Sequence, residues 1–149
     1  MQNDEVKTTA YQADFDLWLK QTVQLLQAER WQELDVENLV EEIEGLSKSE
    51  RRGIASQLTR LILHLLKWQF QPQKRSDSWL DSITDARTQI DLALKDSPSL
   101  SDYSVEQLEQ SYQRARRQAA KQTQLEITAF PVECPYLLAD ILSDDWLPK

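Results

Sequence analysis

Residues 61–70 read LILHLLKWQF, the most apolar stretch of a 149-residue chain, and they hold its one histidine. On a helix of 3.6 residues per turn they extend a stripe that starts upstream, with Ile54, Leu58, Leu61, Leu65 and Trp68 on one face. Leu63, Leu66 and Phe70 cover the other side, so the segment is apolar nearly all round. Such a helix forms the buried centre of a bundle. It stops before Pro72, and S-K-S-E at Ser47–Glu50 has the spacing of a capping box at its start.

Working outward, the same spacing of three and four recurs between the five prolines. A first helix is expected from Ala10 to Glu29, with Phe15, Trp18, Leu19, Thr22, Leu25 and Leu26 on one face. A second follows Asp35 as N-cap, with Val36, Leu39, Val40 and Ile43 as its apolar stripe and Gly45 weakening its end. After the central third helix, a fourth is expected from Ser78 to Asp96, turning Trp79, Ile83, Ala86, Ile90, Ala93 and Leu94 inward. A fifth starts at Ser104 with Gln107 completing a capping box and runs to Gln124; Val105, Leu108, Tyr112, Ala115 and Ala119 form its stripe. Then come an irregular arm, EITAFPVECPY, a short helix at 136–142 and the tail DDWLPK. The reading is an all-α, single-domain bundle of five main helices over residues 1–149, with residues 1–9 flexible.

Composition narrows the chemistry. With 25 acidic and 17 basic side chains the net charge is −8, which repels nucleic-acid phosphates and anionic membrane surfaces. The two glycines, Gly45 and Gly53, leave no P-loop and no dinucleotide fingerprint, because both need glycine where backbone meets phosphate. Cys134 is the only cysteine, so the chain forms no internal disulfide and suits a reducing cytoplasm. The start, MQNDEVKTTAYQ, lacks the basic and apolar regions of a signal peptide, and no run is long enough to span a membrane. The expected setting is cytoplasmic, without cofactor.

The candidate residues are few. His64 sits at the edge of the apolar stripe near Trp68, where an imidazole needs a hydrogen-bonding partner. Glu37, Glu41 and Glu44 share one side of the second helix. Arg87 and Arg116 flank apolar stripes, where arginine usually meets a carboxylate. The candidate polar cluster is therefore Glu41, Glu44, His64, Arg87 and Trp68, with Glu41 or Glu44 bridging arginine and His64. Glu41, Glu44 and His64 are weak metal candidates, since the Glu-x-x-His pairs of metal-binding bundles are missing. Arg114, Arg117 and Lys121 form an outer basic stripe, a solvated face or a docking patch. Cys134 would be nucleophilic only with a base nearby. No catalytic residue is assigned.

LVEEIEGLSKSERRGIASQLTRLILHLLKWQFQP, RSDSWLDSITDAR and FPVECPYLLADIL together resemble the cyanobacterial and bacterial family of domain of unknown function 29. The resemblance covers nearly the whole chain, from Tyr11 to Trp146. It implies a small, soluble, all-helical protein and matches Glu41, Glu42, Glu44, His64, Lys67, Trp68, Arg87 and Cys134 to family motifs, without roles. The functional expectation is a non-enzymatic protein-interaction or regulatory module with an unidentified protein partner, as monomer or homodimer. The alternative is a metal- or small-ligand-binding protein, or a hydrolase, built on a Glu/His cluster between the second and third helices.

Overall fold

Asp14 sets the start of the first long helix. Its backbone is extended, and its carboxylate accepts from the Leu17 amide at 3.0 Å, as an N-cap does. The computed structural model describes residues 10–149; it shows a helical turn at 10–13 and then α1, Phe15–Gln27. The helix expected from Ala10 to Glu29 is thus interrupted by a cap. It ends in a Schellman motif: the Glu29 amide donates to Leu26 and the Arg30 amide to Leu25, with Glu29 in the left-handed region at φ 57°. The expected flexibility of residues 1–9 lies outside the described residues.

The larger correction is α2, Val36–Phe70, which is one helix of 35 residues where two were expected. Asp35 caps it as anticipated, its carboxylate accepting from the Asn38 amide at 3.4 Å. Gly45 does not end it, and Ser47 and Glu50 lie in its interior rather than in a capping box. A lone glycine costs a helix only about 1 kcal/mol relative to alanine, too little to break one held at both ends.

The chain divides into two compact units, Met1–Ser49 and Glu50–Lys149, and each is described by itself. In the first, eight residues link Gln27 to Val36, including a 3-10 turn at Trp31–Glu33. So short a link makes α1 and the opening of α2 antiparallel neighbours. Tyr11 joins them: its hydroxyl donates to the Glu42 carboxylate, and its ring meets Trp18 edge-on at 4.8 Å. Trp18 and Thr22 are the buried residues of α1.

In the second unit, LILHLLKWQF is the core element expected. Leu58, Leu61, Ile62, Leu65 and Leu66 pack with Ile83, Ala86 and Ile90 of α3, Asp77–Asp96, and with Tyr112, Ala115 and Ala119 of α4, Leu100–Thr123. The cap of α3 is Ser76, whose hydroxyl accepts from the Trp79 amide, two residues before the expected start. α4 begins one turn earlier than expected, at Leu100 after its cap residue Ser99. Ser104 is therefore an interior residue donating to the Leu100 carbonyl at 3.0 Å, and Val105 faces solvent. A short α5, Leu138–Ile141, sits in the irregular C-terminal arm. Among the described residues all regular structure is helical, and no helix is long and apolar enough to cross a membrane.

Candidate functional site

One nitrogen of the single imidazole is engaged by its own helix. His64 Nδ1 lies 2.8 Å from the Arg60 carbonyl, and because a carbonyl only accepts, that nitrogen carries the proton. Burial holds its pKa below the ordinary 6.5; the charges of Lys67 and Arg60 push the same way, against the hydrogen bond to Arg60. Glu41 and Glu44 stand in the first unit, and His64 is twenty residues beyond Glu44 along α2. Among the described residues no three His, Cys, Asp or Glu side chains gather as a metal site.

Arg87 finds its partners within its own unit. Buried on α3, it donates to three carbonyls of the C-terminal arm: Ile141 at 2.8 Å, Asp144 at 3.1 Å and Trp146 at 2.6 Å. Arg116 does the same for Ile127 and Phe130, Tyr112 donates to Pro131 and Gln113 to Val132. An irregular arm has carbonyls that no helix satisfies, and these side chains supply the missing donors. Trp68 carries the Arg75 guanidinium 4.7 Å above its ring. Burial pushes the Cys134 thiol above its ordinary pKa, so it is a poor nucleophile.

What the sequence did not disclose is an uncovered face on the first unit. Phe15, Leu19, Val23 and Leu26 of α1 fall within an arc of about 80°, beside the buried Trp18 and Thr22. On α2, Val36, Val40, Ile43 and Leu46 span about 120°, an arc that includes half-buried Leu39 toward the side of half-buried Glu42. All eight are exposed: Val40 by 47%, Ile43 by 58% and Leu46 by 69%. In each helix the apolar arc lies in the same rotational sense from the packed side. For antiparallel helices that puts both arcs on one side of the pair, as one strip.

Glu37, Glu41 and Glu44 border this strip on the α2 side, exposed and without an ion-pair partner among the described residues. Residues 1–49 hold eleven acidic and four basic side chains, against fourteen and thirteen in residues 50–149, so the acidity of the chain is concentrated in this unit. The periodicity of α1 and early α2 marks an apolar face on each helix without saying what covers it; the division of charge is the sequence signal for a surface.

Compared with known proteins, residues 10–147 match the family model described as Domain of unknown function DUF29. No curated protein and no solved structure matches the chain.

Proposed function

This chain belongs to the family described as Domain of unknown function DUF29, and from that premise we propose that it is a protein-interaction module whose partner is a basic amphipathic helix. The observation that carries the reading is the apolar strip of α1 and α2 with the exposed row Glu37, Glu41 and Glu44 along its border. Contiguous exposed apolar surface rimmed by charge is characteristic of recognition faces. An amphipathic helix laid into the strip buries Val40, Ile43 and Leu46, while its Lys or Arg side chains reach the carboxylates. Charge decides between partners: a second copy would bring the same acidic unit against the first, and like charge opposes that encounter. The module acts in the cytoplasm, where Cys134 stays a thiol.

The test is calorimetric titration with a synthetic peptide of about 18 residues carrying Leu and Lys at helical spacing, and with its Leu/Glu counterpart. Saturable binding of the Lys peptide alone is expected, weakened at least about tenfold by Val40→Asp with Ile43→Asp. Both residues are exposed, so the double variant keeps its fold. Equal binding of the two peptides, or no loss in the variant, refutes the reading.

A further inference from the structure

The second unit holds a cavity unrelated to that strip. Between residues 52–63 of α2 and 103–118 of α4 runs an open groove of about 660 Å³, the size of small-ligand sites. Its α2 wall is Arg52, Ser56, Thr59 and Arg60, and its α4 wall includes Tyr103, Gln107, Gln110 and Arg114. The floor is the buried trio Ala55, Thr59 and Leu63, and the Thr59 hydroxyl is turned onto the Ala55 carbonyl at 2.9 Å, which leaves the floor apolar. Among the described residues no aspartate or glutamate lines this groove, in a chain with 25 of them. Three guanidiniums do.

Two contacts fix the register of the walls. The Arg51 guanidinium lies 5.8 Å from the Tyr103 ring, and Lys67 Nζ donates to Gln122 at 3.1 Å, so α2 and α4 run parallel. Arg60 is nine residues beyond Arg51, and Arg114 is eleven beyond Tyr103. At 1.5 Å per residue they stand at nearly the same level, on opposite walls. Arg60 is anchored through one nitrogen to Asp85 at 2.6 Å and keeps its other donors. Arg114 and Arg52 have no ion-pair partner among the described residues, and Gln107 and Gln110 make no hydrogen bond there that would occupy their amides.

We propose that this groove binds a small organic anion, with its carboxylate or phosphate between Arg60 and Arg114 and its body along Gln107 and Ser56 toward Arg52. Guanidinium forks match the oxygens of both anions, and the neutral amides add donors without a competing negative charge. The site is separate from the peptide-docking strip and stands or falls without it.

The experiment is an NMR titration of the full ¹⁵N-labelled chain with citrate and with inorganic pyrophosphate, at constant ionic strength, with glycerol as the neutral control. Saturable shifts confined to residues 52–63 and 103–118 are expected with at least one of the anions and none with glycerol. Which anion binds identifies carboxylate or phosphate as the preferred group. Arg114→Gln should weaken binding at least about tenfold without changing the thermal midpoint, while Arg117→Gln, one residue type and one charge alike on the outer face, should change it less than about twofold. Absence of saturable shifts with both anions, or equal loss in the two variants, overturns the proposal.

Discussion

At the scale of the residue, Arg87 and His64 each hydrogen-bond to backbone carbonyls. Arg87 supplies the arm with donors that its carbonyls would otherwise lack. Arg87→Met keeps much of the apolar stem but strands those acceptors, and we expect a loss of about 2–4 kcal/mol in urea unfolding; a change under about 0.5 kcal/mol would remove the arm-clamping role. His64 gives a pH signature. Its folded pKa is below 6.5, so as pH falls past that value the unfolded chain takes up a proton that the folded chain refuses. Its contribution is therefore complete above about 6.5 and declines as pH drops toward the folded value. His64→Gln should flatten that part of the stability profile, and a histidine titrating above 6.5 by NMR would contradict the assignment. Sequence could flag His64 and Arg87 as polar groups at the edge of a core. It could not name their partners, because a backbone carbonyl has no residue identity to search for.

At the scale of the element, the helices were legible wherever periodicity and caps agreed, as at the Phe70 end of α2 and the Asp96 end of α3. They were misread where a cap-like pattern fell inside a helix. Ser47–Glu50 and Ser104–Gln107 both match a capping box by spacing, yet the helix continues through both. The continuity of α2 is testable. Among the described residues no atom would meet a Cβ at Gly45, so Gly45→Ala should stabilise the protein by about 0.5–1 kcal/mol, and Ser47→Ala should cost almost nothing. If a boundary existed there, Ser47→Ala would instead cost about 1 kcal/mol. The αL position at Glu29 offers a second check: Glu29→Gly relieves a left-handed side chain and should raise thermal stability, by up to about 1 kcal/mol.

At the scale of the molecule, the all-α class followed from one repeated spacing and the lack of alternation. The docking strip did not, because an amphipathic pattern says that a face is apolar and not what covers it. Of Phe15, Trp18, Leu19, Thr22, Leu25 and Leu26, which share one face of the first helix, only Trp18 and Thr22 are buried. The total charge of −8 is equally silent, because it averages the acidic residues 1–49 with the nearly balanced residues 50–149. The anion groove was invisible for a related reason: Arg52, Arg60 and Arg114 belong to helices joined only through α3, and register is set by packing.

The most direct measurement is an NMR map of where the Leu/Lys helix binds the full chain, at low and at high salt. Docking in the strip requires shifts on Phe15–Leu26 and Val36–Leu46, with affinity falling as salt screens Glu37, Glu41 and Glu44. Shifts centred elsewhere, salt-independent binding, or a face already closed by a second copy of the chain would contradict it.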